Sequence, residues 1–229
     1  MNFLRCLIFY ILFYAGTISF FLLFSPVKFF SFKFVVNLCW FWTTSVIKLS
    51  KAILHIDYKI IGQKNIPRSG PFIVASNHQS AWETFFFGSL FPGSVFILKN
   101  ELRKIPIFSQ YFKRLGFIFV KRDQGFESMK YVLRSVKKLI QQEKNVFVIF
   151  PEGTRLDPGS RVKLNKGVYA IHKFIGLPIL PIKLDSGNFW LNKRFTKKSG
   201  TIKIKIFPII KNNLRKEKII KTLEKYYYE

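Results

Sequence analysis

Cysteine is almost absent. Only Cys6 and Cys39 occur in 229 residues. Both lie in apolar sequence and form no CxxC pair, which argues against a disulfide framework or a thiolate zinc site. Histidine is scarce too: His55, His78 and His172 are the only three, and none recurs at HExxH or HxxxH spacing, so metal catalysis has no support. Acidic residues number 12 against 38 lysines and arginines, a net charge of +26. So strong an imbalance calls for an anionic partner, whether a lipid surface, an acidic carrier protein, a phosphorylated substrate or a nucleic acid. Charge alone does not rank them, and the joint abundance of Lys, Ile, Phe and Asn marks part of the excess as compositional. Internal repeats, low-complexity tracts and a second-domain linker are lacking. RNP-type and zinc-finger spacings are lacking as well, and the aromatics fall at apolar periodic positions, so no nucleic acid is expected.

Apolar side chains are what the chain has in excess. It is 49% hydrophobic and 18% aromatic, too apolar for a disordered chain and high for a fully soluble one. Residues 7–24 carry no charge and are flanked by Arg5 before and by Pro26, Lys28 and Lys33 after. This run reaches the minimum for a bilayer-spanning helix, roughly 17 to 25 residues. A cleaved signal would have a shorter apolar part ending in small residues, whereas this one ends in Phe20-Phe21-Leu22-Leu23-Phe24, so it is expected to be retained. Residues 34–47 are apolar and aromatic but too short to cross alone; they read either as an interfacial helix or as a core helix. More basic residues follow the first segment than precede it, which places the main domain on the cytoplasmic side of the inner membrane. The expected organisation is a membrane-associated helical segment over residues 1–50 and a catalytic domain over residues 51–229.

Beyond residue 55, short apolar runs alternate with helical patterns. Strands are predicted at residues 58–61, 72–75, 95–98, 117–120, 146–150 and 179–184. Another is predicted where Ile202, Ile204 and Ile206 alternate with Lys203 and Lys205. Helices are predicted at residues 81–90, 108–115 and 167–175, through Phe126, Met129, Leu133, Val136 and Ile140 at steps of three and four, and in a basic tail over residues 212–228. Repeated β-then-α order predicts an α/β fold with a mixed, largely parallel sheet flanked by helices.

Two polar islands each follow a predicted buried strand: Asn77-His78-Gln79-Ser80-Ala81-Trp82-Glu83, and Phe150-Pro151-Glu152-Gly153-Thr154-Arg155. Loops at strand ends are where open α/β sheets build their sites. In a regular helix His78 and Glu83 would lie about 140° apart, so they meet only if the helix starts after His78. Ser80-Ala81-Trp82-Glu83 fits a capping box and supplies that start. Two roles for Glu83 remain open: a cap on the Ser80 backbone N–H, or an acceptor that fixes the tautomer of His78 and leaves its other nitrogen to take a proton. In the second island Gly153 permits close backbone approach, Thr154 offers a hydrogen bond and Arg155 a bidentate grip on phosphate. Glu152 would repel a phosphate directly, so it is expected to orient Arg155 or another donor.

NHQSAWE, FVKRD, FPEGTR and LPILPIK, in this order over roughly residues 57–185, resemble the four sequence blocks of the glycerolipid acyltransferase family, in particular its 1-acylglycerol-3-phosphate acyltransferases. The resemblance implies that His78 is the base of an H-x-x-x-x-D motif, with Glu83 standing where the family usually has Asp. It also implies that Glu152, Gly153, Thr154, Arg155 and, in the second block, Arg122 bind the phosphorylated acceptor. Lys99 resembles a lysine often seen after the third predicted strand.

The implied reaction transfers a fatty acyl group from a thioester to the sn-2 hydroxyl of lysophosphatidic acid, giving phosphatidic acid. The implied donor is acyl-CoA or an acyl carrier protein, with membrane lipid as the surroundings and neither metal nor bound cofactor. Three alternatives stay open: another acceptor, such as glycerol 3-phosphate, a different lysophospholipid or a lipid A precursor; covalent catalysis by Ser80, although its surroundings are not GxSxG; and a basic membrane-surface binding module.

Overall fold

The computed structural model describes residues 2–105, 108–121, 124–211 and 214–229. Among these, seven strands form one sheet: β1 Ile56–Ile61, β2 Phe72–Ser76, β3 Val95–Lys99, β4 Ile118–Val120, β5 Val146–Ile149, β6 Ile179–Leu184 and β7 Gly200–Ile206. Their order is β1-β7-β6-β2-β5-β3-β4. All neighbours run parallel except β6 and β7. The sequence pattern explains the placement. Every residue of β2 is buried, as a parallel strand covered on both faces requires, whereas β7 alternates buried isoleucines with exposed lysines.

The helices are α1 Asn2–Leu23, α2 Phe32–Leu54, α3 Trp82–Leu90, α4 Phe108–Leu115, α5 Gly125–Gln141, α6 Gly167–Ile175 and α7 Lys216–Tyr228. Alternate residues of a strand point to opposite faces, and the two cores divide accordingly. Phe72 and Val74 of β2 join Phe9 of α1, Ile47 and Leu54 of α2, and Trp82 and Phe87 of α3. Ile73 and Ala75 join Val132 and Val136 of α5, Val168 and Ile171 of α6, and Ile219 and Leu223 of α7. The mixed, largely parallel sheet flanked by helices is the architecture that the β-then-α order predicts. Element ends shift slightly: the helix predicted from residue 81 begins at Trp82, the strand predicted from residue 117 begins at Ile118, and the tail helix begins at Lys216.

Among the described residues, α1 is the one helix long and apolar enough to cross a bilayer by length and composition, with a mean hydropathy of 2.2. It nevertheless touches the rest of the protein along its whole length. Cys6, Phe9, Thr17 and Phe21 form a buried stripe at helical spacing. Near the start of α1, Lys197 N–H donates to Cys6 Sγ at 3.2 Å, and the Phe9 ring lies 5.4 Å from Trp190. Near its end, Phe21 lies 4.6 Å from Tyr111 of α4 and 5.0 Å from Trp42 of α2. The remaining side exposes Leu4, Ile11, Ile18 and Leu23. The second apolar run folds as a helix longer than residues 34–47, started by Ser31 Oγ accepting Phe34 N–H. It buries Val35, Val46 and Leu54 while exposing Trp40 and Phe41.

Candidate active site

Because β5 and β6 flank β2 and both run parallel to it, the loops that leave the three strands emerge at one sheet edge. Asn77 sets the geometry there. Its side chain accepts Leu184 N–H and donates to Leu184 C=O, each at 2.8 Å. The amide thus imitates a strand residue and carries the β2 and β6 pairing one step further. His78 follows immediately, outside the ladder.

His78 Nδ1 lies 2.6 Å from Glu83 Oε2. A carboxylate on Nδ1 places the ring proton there and leaves Nε2 with a lone pair, the state a general base needs. The ring stacks on Phe150, with centroids 4.0 Å apart and planes 18° from parallel, and 13% of the side chain remains exposed. It is oriented by one nitrogen and one face while still reachable by a substrate.

Glu83 is fully buried. Its Oε1 accepts Gln79 N–H at 3.0 Å and Ser80 N–H at 2.9 Å, together with the Ser186 hydroxyl. The Ser80 hydroxyl donates to Ser186 Oγ at 3.0 Å and accepts Trp82 N–H at 3.1 Å. The two roles that local spacing leaves open are therefore both filled, one by each carboxylate oxygen. The capping box is kept in one direction only, Glu83 to the Ser80 N–H. Ala81 already has helical dihedrals, so the Ser80 hydroxyl meets the N–H of Trp82.

The second island closes on the same histidine. Glu152 Oε2 accepts His78 N–H at 2.6 Å, so the donor it orients is the backbone of His78. Leu156 N–H donates to His78 C=O at 2.8 Å. The backbone N–H and C=O of His78, in the two peptides that flank it, are thus both held by the loop at residues 150–166. Burial pushes the Glu152 carboxyl up to about 7; the Glu83 charge adds to this rise, while the N–H of His78 and the nearby Tyr228 hydroxyl oppose it. Gly153 has φ +74°, a conformation that disfavours any side chain, and the turn depends on it.

His78, Glu83 and Glu152 are brought together; other expected site residues sit farther out. Thr154 and Arg155 are exposed on the loop after β5, and Lys99 is exposed at the end of β3. None of these three hydrogen-bonds His78 or Glu83 among the described residues. Arg122 lies outside the described residues. A cavity of about 550 Å³ adjoins the site; Ile97, Leu98, Val132, Ile149 and Ile171 give it apolar walls, Phe150 and Gly153 belong to its lining, and Lys163 and Lys166 add positive charge.

Sequence reasoning missed Ser186, Phe150 as the stacking partner, and Asn77 as the strand mimic. A signal for Ser186 was present, since Asp185-Ser186-Gly187 is a third polar island directly after a buried strand. Gly187 lets this loop come close: a Cβ there would lie 2.9 Å from Gln79 Cβ, and its N–H donates to Gln79 Oε1 at 3.1 Å.

A family model described as Acyltransferase matches residues 57–185. The chain is 34% identical over 212 residues to a 1-acyl-sn-glycerol-3-phosphate acyltransferase of Pseudomonas aeruginosa, a match covering 90% of this chain and 80% of that protein. It is 27% identical over 194 residues to the enzyme of the same name from Saccharomyces cerevisiae, covering 81% of this chain and 62% of the yeast protein. Its structure superposes on the crystal structure of the 1-acyl-sn-glycerophosphate (LPA) acyltransferase PlsC from Thermotoga maritima with a TM-score of 0.76 at 26% identity, covering 99% of this chain and 93% of that one.

Proposed function

Since this chain belongs to the acyltransferase family, we propose that it moves a fatty acyl group from a thioester to the sn-2 hydroxyl of 1-acylglycerol 3-phosphate, giving phosphatidic acid. The observation that carries this reading is the Glu83 and His78 pair at 2.6 Å, with the ring still accessible. An alcohol near pKa 16 does not attack a thioester unassisted at neutral pH, and a base held in the right tautomer removes that obstacle. His78 Nε2 takes the hydroxyl proton as the oxygen attacks the thioester carbonyl. Glu83 stabilises the imidazolium, which returns the proton to the departing thiolate. The reaction needs only its two substrates, the thioester being carried by CoA or by an acyl carrier protein.

Direct transfer fits better than a covalent route through Ser80. That hydroxyl is fully buried and engaged with Ser186 and Trp82 rather than with His78. Lys99 at the end of β3, and Thr154 and Arg155 on the loop after β5, are exposed and supply donors for the acceptor phosphate; Arg122 is a further candidate by its resemblance to the family's second block. The apolar cavity suits a fatty acyl chain. Because α1 contacts the domain at both ends, its exposed apolar side and that of α2 are read as a seat in one leaflet, with the catalytic domain on the cytoplasmic side of the inner membrane.

The test is purified protein assayed with lysophosphatidic acid, and with a panel of other acceptors, using both donor types. Wild type forms phosphatidic acid. His78→Ala keeps its melting temperature and loses about 10² to 10⁴ of the rate. A loss below tenfold refutes the base assignment, and preference for another acceptor refutes the substrate.

A further inference from the structure

We propose that Tyr228, in the last turn of α7, is a positioning residue for this proton transfer, acting through the loop that holds the backbone N–H and C=O of His78. The inference rests on His78 being the base. α7 packs beneath the sheet face opposite α1, α2 and α3, and Tyr228 makes no hydrogen bond to the imidazole. Its reach to the site is indirect.

The loop at residues 150–166 lacks regular secondary structure between β5 and α6. Its base is closed by Asn165, whose backbone N–H and side-chain amide both donate to Pro151 C=O, at 2.8 and 2.9 Å. Above that base, besides the packing of Leu164 in the core and of Pro158 near Gly187, two groups of hydrogen bonds among the described residues tie it to the rest of the protein. One is to the backbone of His78, through Glu152 and Leu156. The other is to Tyr228. Its hydroxyl donates to Val162 C=O at 3.1 Å and accepts Val162 N–H at 3.3 Å. Its backbone C=O accepts from the Arg161 guanidinium at 3.1 Å, and that cation lies 5.8 Å from the Tyr228 ring centre.

The same helical turn also brings the Tyr228 and Tyr227 hydroxyls beside the Glu152 carboxylate. Tyr227 is buried, and its hydroxyl has no hydrogen-bond partner among the described residues. The loop is therefore hydrogen-bonded to α7 at one point and to His78 at another. A long irregular segment is placed by such ties rather than by its own backbone pattern, and a misplacement of about 1 Å at the reacting groups costs up to about 10²-fold in rate. Loosening the Tyr228 anchor should shift His78 relative to a bound alcohol while leaving the binding surfaces in place.

The test uses the full chain. Tyr228→Phe keeps the ring and its packing and removes the hydroxyl. Its kcat is expected to fall by roughly three- to thirtyfold, while KM for acceptor and thioester stays within about twofold of wild type. In a histidine-selective NMR spectrum the His78 ring resonance moves, and those of His55 and His172 do not. Tyr226→Phe, on the same helix but stacked on Phe207, leaves kcat and the spectrum at wild-type values. Arg161→Gln, an exposed change that spares the core, shifts kcat in the same direction by less. A Tyr228→Phe protein with unchanged kcat and an unmoved His78 resonance overturns the proposal whatever its melting temperature; so does an equal effect from Tyr226→Phe. The NMR readout needs no turnover, so a wild-type protein that fails to transfer acyl groups would refute the function and leave this inference separately testable.

Discussion

Replacing Glu83 by glutamine would separate the two oxygens of this carboxylate by their chemistry. Oε1 faces the N–H groups of Gln79 and Ser80, so an NH₂ in its place would set donor against donor. The amide must settle with its oxygen at the cap and its NH₂ against His78 Nδ1. A donor there forces Nδ1 to accept and moves the ring proton to Nε2, the atom proposed to receive the proton of the alcohol. The cap survives with neutral rather than charge-assisted hydrogen bonds, at a cost of about 1 kcal/mol, or roughly 2–4 °C in melting temperature for a chain of this size.

Catalysis does not survive. A misplaced tautomer costs about 10² to 10⁴ in rate, or roughly 3 to 5 kcal/mol of barrier. Steady-state acyl transfer and a thermal melt, measured on the same preparation, show whether the two quantities part in this way. A folded Glu83→Gln enzyme with kcat within threefold of wild type would mean that this pairing does not prepare the base.

Two further outcomes follow from burial. Glu152 has its carboxyl raised from 4.5 to about 7 by desolvation, so the folded protein retains a proton that the unfolded chain releases between those values. The stabilisation is complete below pH 4.5 and is lost as pH rises through 7, on the order of 3 kcal/mol. Glu152→Gln should remove this slope and melt higher than wild type above pH 7, whereas parallel melting curves from pH 5 to 8 would contradict it. On α1, Leu4 and Ile11 are both exposed, and placing glutamate at both positions withdraws about 1.5–3 kcal/mol of apolar burial at each. Co-flotation with phospholipid vesicles should fall more than tenfold with the circular dichroism spectrum unchanged; undiminished flotation would rule out this side as the lipid contact.

Much of this was readable in the amino-acid order because strands and helices leave periodic marks on it. The unbroken apolar run of β2, the alternation of Ile202, Ile204 and Ile206 in β7, and the three-and-four steps of α5 each record which faces are covered. The polar residues that interrupt them, His78 to Glu83 and Glu152 to Arg155, marked the strand ends where chemistry could be placed. Even the bend that lets His78 meet Glu83 was legible, since Ser80 announces a helix start.

What the order of residues did not determine is which loops become neighbours. Ser186 reaches Glu83 because β6 lies beside β2; Glu152 reaches the His78 N–H because β5 lies on the other side. α7 completes the arrangement from the far face of the sheet, where Tyr228 meets Val162. α1 has the composition of a spanning helix, yet Trp190 and Tyr111 bind it along its length. Periodicity is set by repeats within a few residues, whereas these hydrogen bonds and ring contacts join positions tens to more than a hundred residues apart. Only the order of strands in the sheet, and the crossovers that produce it, brings them within bonding distance.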